Sequence, residues 1–219
     1  MDVQLLNYLK TYLTERRTKL FQEVLAQRTR HITVVTEDVY QMHNTSAVMR
    51  SCDVFGIQDL HVVEARNGKR IDKEIAMGAQ KWVNLYRYGS IESCMAKLKG
   101  DGYQIVATTP HAHDRTLERF EVGKKSAVFF GREDTGLSES VMNAADVTLK
   151  IPMYGFTESL NISVSAAIVL QHIVSKLRAS SVAWQLTEAE RLEIELEWAK
   201  RTIKSSEAIT AHFYKKIKT

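Results

Sequence analysis

The chain has 219 residues, 44% of them hydrophobic, with 30 Lys and Arg against 26 Asp and Glu for a formal net charge of +4. A chain of this length buries roughly 70% of its unfolded surface, enough for a core without disulfides or metal. No apolar run approaches the roughly 20 residues that span a bilayer, and residues 1–19 are too polar for a signal peptide, so we expect a soluble, cytoplasmic protein with one main α/β domain and appendages.

Residues 4–27 set Leu5, Leu6, Leu9, Leu13, Leu20, Phe21, Val24 and Leu25 close to helical spacing, with Arg16, Arg17, Lys19 and Arg28 among or just after them. This predicts an amphipathic helix, broken near Thr14. Residues 31–36 (HITVVT) are rich in β-branched side chains and read as the first core strand. Asn44 stands near the cap of a helix over 44–55, with Gly56 just past its end. A strand over 59–64, a polar loop with Asn67 and Gly68, a short helix over 73–79 and a strand over 82–88 follow. Ser90 opens a helix ending at Gly100. Further strands are expected over 103–108, 126–130 and 147–151. Between them lie a polar, His-containing stretch over 110–120 with a turn of helix, and a helix over 137–144. A small-residue helix then runs on to about residue 178.

Strands alternate with helices through the whole middle of the chain. That pattern predicts an α/β fold with a mainly parallel sheet covered by helices on both faces. Residues 180–185 (SSVAWQ) read as a linker. Thr187 and Glu190 have capping-box spacing and open one long charged helix containing Leu192, Ile194, Leu196, Trp198 and Ile203. The expected organisation is a body over 31–178 with helical extensions over 1–30 and 179–219.

Charge follows the same division. Residues 1–31 carry six Lys and Arg against three acids, and residues 176–219 nine against six, while 32–175 carry fifteen against seventeen. Basic ends around a slightly acidic body suit extensions that meet a polyanion such as RNA. Ordinary solvated helix faces give the same signal. The only cysteines, Cys52 and Cys94, lack CxxC or Cys/His ligand spacing and read as reduced structural thiols.

Three stretches carry chemistry. IPMYGFTESLNISVSAAIVL (151–170) runs from a strand through a loop with Gly155, Ser159 and Asn161 into a helix whose first turns are small. Unpartnered N–H groups collect at such a helix start and Gly lets a ligand approach the backbone; an ordinary N-capped connection reads the same way. HNTSAVMRSCDVFG (43–56) places Asn44 and Arg50 nearly two turns apart, so that they could approach one face of a helix. An Arg on such a helix needs an anion or carbonyls, and an ion pair with Asp53 would also meet that need. FFGREDTGLS (129–138) sets Gly131 at the end of a buried strand and Gly136 before a helix, so the loop between them can turn sharply and present amides.

Two phosphate-binding patterns, GxGxxG after a strand and GxxxxGK[ST], are absent. A nucleoside ligand without phosphates remains allowed. His111 and His113 resemble a metal pair but lack a third ligand at a recognisable spacing, and a surface loop explains them.

Taken in order, the three stretches resemble the SpoU/TrmH family of the SPOUT superfamily, and the likeness runs from about residue 14 to 178. Gln41 and Met42 stand where the family has Lys-Pro. The resemblance implies a deep trefoil knot in the chain after Phe130, which topology rules alone reject. It implies an S-adenosyl-L-methionine-dependent RNA 2′-O-ribose methyltransferase, with guanosine-18 in the tRNA D-loop as the expected target. It implies a cofactor slot built by Thr108, Gly131, Ile151, Met153 and Leu160, with adenine held by backbone groups in a mostly apolar cleft.

Within that resemblance, Arg50 is the residue expected to bind the adjacent RNA phosphate and polarise the ribose hydroxyl, since a guanidinium is not an ordinary base. Asn44 would orient it, Ser159 and Asn161 would shape the pocket, and Glu133 would hold the loop or an interface. No metal is expected, because the methyl donor is already activated. The family implies a homodimer that buries the apolar side of the third-stretch helix. Arg16, Arg17, Arg28, Arg30, Lys176, Arg178, Lys200 and Arg201 would grip tRNA phosphates; no DNA or membrane partner is expected. Ribosomal RNA as target, and a non-catalytic RNA-binding relative, are the alternatives.

Overall fold

The computed structural model describes residues 3–38, 42–64, 76–111, 116–132 and 134–217. Glu133, the His113 end of the histidine pair, the Asn67–Gly68 loop and most of the helix expected over 73–79 lie outside them. Among the described residues six strands form one sheet: β1 (Ile32–Glu37), β2 (Asp59–Val63), β3 (Asn84–Tyr88), β4 (Gln104–Thr108), β5 (Ser126–Phe130) and β6 (Val147–Leu149). Their order is β3-β2-β1-β5-β4-β6, and every neighbouring pair is parallel.

The central strands are buried along their whole length, ITVVTE in β1 and SAVFF in β5, as a sheet covered on both faces requires. Alternation sends successive residues to opposite faces. Val34 and Val128 join one core with Met49 and Cys52 of α3 (Met42–Val54) and with Leu170 and Ile173 of the long helix Ile162–Arg178. Val35 and Phe129 join the other core, with Cys94 and Leu98 of α4 (Ile91–Gly100) and Val141 of α5 (Glu139–Ala144). Both cysteines are free and buried. We call the helix Ile162–Arg178 α6.

The expected strand over 147–151 ends at Leu149. Beyond it the Lys150 carbonyl accepts from Leu117 N at 3.0 Å and Lys150 bridges Thr116, so the backbone bonds the 116–117 segment and is released from β4. The expected linker over 180–185 is anchored: Val182 and Trp184 pack on the core, Thr29 Oγ1 donates to the Trp184 carbonyl at 2.6 Å, and the Arg178 guanidinium lies 4.9 Å from the Trp184 ring centroid. An indole is too large and apolar to leave in a free tether.

The chain divides into two compact units, Thr29–Trp184 and a second made of Met1–Arg28 with Gln185–Thr219. The second unit contains α1 (Val3–Lys10), α2 (Glu15–Leu25), α7 (Glu188–Thr202) and α8 (Ser206–Ile217). Thr14 caps α2 by accepting from Arg17 N, which is the break expected there, and the capping box of Thr187 and Glu190 opens α7. The single long C-terminal helix expected from sequence is two helices. Ile203 is extended and Ser205 takes φ 59°, a turn that lets α8 fold back so that Phe213 joins Leu5, Leu6 and Leu9. No helix among the described residues is long and apolar enough to cross a membrane.

His61 on β2 stacks on Tyr86 and Tyr88, with ring centroids 4.9 and 5.7 Å away, and its Nδ1 lies 3.0 Å from the Tyr88 hydroxyl. Burial pushes its pKa down from 6.5 to about 4, because an imidazolium here would be stripped of water. The unfolded chain therefore takes up this proton first as pH falls. Stability supplied by the neutral ring is complete above pH 6.5 and is lost progressively toward pH 4, by about 3 kcal/mol at the end of that window. Urea unfolding across this range should show a shallower pH dependence for His61→Gln than for the wild type; equal slopes would refute the assignment.

Candidate active site at the carboxyl ends of the sheet

In open α/β sheets, ligands bind in crevices outside the carboxyl ends of the strands. Here a cavity of about 530 Å³ opens beyond β4, β5 and β6. Thr108 ends β4 and its hydroxyl donates to the Phe129 carbonyl at 2.7 Å, tying the two strand ends together. Phe130, Leu137, Met142, Leu149, Ile151 and Val169 supply an apolar lining; Thr108, Thr109, Ser159 and Ser165 supply polar points.

The loop after β5 is closed on itself. Arg132 and Gly136 exchange two backbone hydrogen bonds of 3.0 Å, and Gly136 takes φ +72°, a conformation Gly adopts without steric cost. Gly131 is required for a different reason. A Cβ there would stand inside van der Waals contact of the Gly136 and Leu137 backbone. Across the turn the Arg132 fork donates to both Asp134 oxygens at 2.9 Å, and this hydrogen bonding pulls the Asp134 carboxyl down to about 2. Ser138 then caps α5, and its own N–H donates to the buried Glu37 carboxylate at 2.9 Å.

The segment after β6 forms the opposite wall through Ile151, Met153, Glu158, Ser159 and Leu160. It ends at Asn161, which caps α6. Its Oδ1 accepts from Ser163 N at 2.8 Å, and its Nδ2 donates to Asn44 Oδ1 at 3.3 Å.

Of the residues expected from sequence, Thr108, Gly131, Ile151, Met153, Leu160 and Ser159 all line this one cavity. Asn44 and Asn161 touch each other, joining α3 to the loop that forms a wall. Arg50 is not among the lining residues. It is exposed on α3, and among the described residues nothing hydrogen-bonds or ion-pairs with it, Asp53 included.

The shared face expected for Asn44 and Arg50 is not found. Six residues turn a helix through about 600°, which leaves the two side chains about 120° apart; Asn44 is buried and Arg50 faces outward. Several of the expected phosphate-gripping cations are also engaged elsewhere: Arg178 lies over Trp184, Lys176 donates to the Glu118 carbonyl at 3.0 Å, and Lys200 pairs with Glu197 at 2.8 Å. Arg28 is 2% exposed, with its guanidinium 5.4 Å from the Trp198 ring centroid, and Arg30 pairs with Asp59 at 3.0 Å. Arg16, Arg17, Arg178 and Arg201 are exposed, and Lys176 and Lys200 partly so.

Sequence reasoning missed Thr109, His111, Asp134, Thr135 and Glu158 as lining residues. Asp134 and Thr135 lie in the Gly131–Gly136 loop, and Glu158 stands beside Ser159. Nothing in spacing distinguishes a lining side chain from its neighbour in an irregular loop. His111 was read as surface; it is exposed, at the cavity.

The profile of the SpoU rRNA Methylase family matches residues 31–171. The chain belongs to the SpoU methylase family. It is 39% identical over 201 residues to the tRNA (guanosine(18)-2′-O)-methyltransferase of Borreliella burgdorferi, covering 92% of each chain. It is 37% identical over 157 residues to the enzyme of that name from Thermus thermophilus, covering 72% of this chain and 81% of the relative. Among solved structures, the A. aeolicus TrmH/SpoU tRNA modifying enzyme superposes with a TM-score of 0.79 at 31% identity, over 87% of this chain and 98% of the other. The SpoU methyltransferase AviRb from Streptomyces viridochromogenes, solved in complex with AdoMet, shares the fold at a TM-score of 0.64 and 22% identity, over 70% and 63% of the two chains.

In this SpoU methylase the two loop glycines make a paired test. Gly131→Ala should lower stability by about 1–3 kcal/mol, as overpacking against backbone does. Gly155→Ala, where an added Cβ meets nothing within 4 Å, should stay within about 0.5 kcal/mol of the wild type. Chemical denaturation of both variants checks this, and equal effects would contradict the closed loop.

Proposed function

We propose that this SpoU methylase is an S-adenosyl-L-methionine-dependent RNA 2′-O-ribose methyltransferase that modifies guanosine-18 in the D-loop of tRNA. The observation that carries the reading is the 39% identity to an enzyme of that name over 92% of both chains. The cavity supports the cofactor. Its volume of about 530 Å³ lies in the range of small-molecule sites. Its only Lys or Arg among the described lining residues is Arg132, already held by Asp134, so the site suits a nucleoside with a cationic centre better than a phosphorylated one. Thr108, Gly131, Ile151, Met153 and Leu160 would hold the adenosine and methionine parts.

S-adenosylmethionine supplies, when bound, a methyl group activated on a sulfonium. The chain's own task is to make a ribose hydroxyl nucleophilic. Arg50 binds the neighbouring phosphate of the RNA and sets its guanidinium beside the 2′-hydroxyl, whose proton passes to solvent water more easily next to a fixed positive charge. Asn44 secures the wall that ends at Asn161, and Ser159 lines the pocket mouth. Glu133 holds the loop after β5 or an interface.

Arg50 points away from its own cavity lining, and this fits a homodimer in which the apolar side of α6 is covered. Val164 and Ile168 on α6 are exposed, and Tyr154 and Phe156 are 96% and 106% exposed. Single exposed apolar residues are ordinary, but a cluster of large ones marks an interface. A trefoil knot in the chain after Phe130 fits the convergence of residues 131–137 and 151–160 on one cavity. The terminal helical unit serves as the RNA-binding unit, through Arg16, Arg17, Lys200 and Arg201, with Lys176 and Arg178 contributing from the body.

Purified protein with methyl-labelled cofactor should label tRNA at guanosine-18, and a transcript with 2′-deoxyguanosine there should take no label. Label on ribosomal RNA alone, or on no RNA, would overturn the target or the activity respectively. Replacing Arg50 by Lys or Ala should lower turnover by about 100-fold or more while calorimetry shows cofactor affinity nearly unchanged; joint loss of both would reject the role given to Arg50. Arg16→Gln with Arg17→Gln should lower the salt slope of tRNA binding by about two, read from affinities over a salt series.

A further inference from the structure

The terminal unit holds an aromatic run that its own packing does not fully use. The Tyr8 ring stacks on Phe213 at 5.0 Å between centroids. Tyr12 meets Tyr8 edge-on at 5.4 Å, and Tyr214 meets Phe213 edge-on at 5.4 Å. The middle of the run is anchored, since Phe213 is 9% exposed and sits in a core with Leu5, Leu6 and Leu9. The two ends are open to solvent: Tyr12 and Tyr214 are 49% and 43% exposed. The Tyr8 and Tyr12 hydroxyls bond at 2.8 Å, which fixes how the Tyr12 ring is presented.

We infer that Tyr12 and Tyr214 form a base-stacking site for unpaired nucleotides of the RNA substrate, with Lys216 taking the adjoining phosphate; the inference rests on the reading of this chain as an RNA methyltransferase. Unpaired RNA bases are held by stacking on exposed aromatic faces, while the backbone is tracked by cations. Both parts are present here. Lys215 and Lys216 are exposed in the last turn of α8, and Arg16 and Arg17 are exposed in the first turn of α2, four and five residues after Tyr12. Lys216 lies close enough to act electrostatically on the Tyr12 hydroxyl. One acid, Glu15, stands in that first turn. A protein partner fits less well, because lysines are depleted from the centres of protein interfaces while tyrosines are enriched. The Tyr8–Tyr12 hydroxyl bond and the buried Phe213 hold the rings before any ligand arrives, which limits the entropy lost on binding.

The test uses the full chain, with Tyr12→Leu, Tyr214→Leu, the double variant, Tyr12→Phe and Lys216→Gln. Fluorescence anisotropy is read against intact tRNA and against an unstructured oligoribonucleotide, over a salt series. Each Leu variant should bind both probes roughly five- to a hundred-fold more weakly, as loss of one stacked base predicts, with an unchanged salt slope. Tyr12→Phe keeps the ring and should bind within about two-fold of the wild type. Lys216→Gln should lower the slope by about one. Circular dichroism and melting temperature identify any variant that fails to fold, and for such a variant Tyr12→Gln or Tyr214→Gln, which also removes the ring, takes the place of the Leu substitution in the comparison with Tyr12→Phe. Leu variants that fold and bind RNA as the wild type does would overturn the site, as would variants that change only the oligomeric state. A wild type that methylates tRNA while the Leu variants bind it unchanged removes the stacking site alone, whereas a wild type that binds no RNA removes the function as well.

Discussion

All six strands run in one direction, so every carboxyl end emerges at the same edge of the sheet. The site depends on that constraint together with the strand order. The chain passes from β3 at one side to β4 near the other, returns to the centre for β5, and leaves again for β6. β4 therefore lies between β5 and β6, the two strands whose following segments line the cavity. The loop after β5 and the segment after β6 have to close over the end of β4, and Thr108 stands at that end. A cavity at this position follows from topology before any side chain is chosen.

What keeps it open in one shape is a small number of polar contacts. Glu37 extends from β1, and because Thr36 is in register with Phe130, its carboxylate sits level with the loop leaving β5. There it accepts the Ser138 N–H. A buried carboxylate is costly without donors, and a backbone N–H at a helix start is short of acceptors, so each group satisfies the other. Asn161 works similarly from the opposite wall, with its carbonyl oxygen on the cap of α6 and its amide on Asn44. Both anchors connect an irregular segment to a regular element packed in the core.

Much of this was legible in the sequence, for physical reasons that differ by element. Strands such as SAVFF and caps such as Ser90, Thr14 and the Thr187–Glu190 box depend on local chemistry, and they appear where local reading puts them. The strand order is set by long connections and leaves no local trace. The fates of Trp184, Arg28 and Phe213 depend on what lies far along the chain: a ring over a guanidinium, or a helix folded back at Ser205. Local reading puts Trp184 in a linker and Arg28 among phosphate-gripping cations, and it gives Phe213 no role. The candidate site was legible as three loops because Gly131 and Gly136 mark close backbone approach, whereas Thr109, Asp134 and Glu158 line it through side-chain directions that irregular backbone alone decides.

The separation of Asn44 from Arg50 changes how the helix between them is understood. A helix that buried both would have to bury a guanidinium or pair it, and a buried charge without full compensation costs several kcal/mol. Placing them about 120° apart lets α3 put Asn44 against the loop wall and leave Arg50 in water. The exposed guanidinium keeps its hydration and its rotamer freedom. One helix thus stabilises a cavity wall with its inner face and carries an uncommitted cation on its outer face. The two functions are coupled only through the rigid turns between residues 44 and 50.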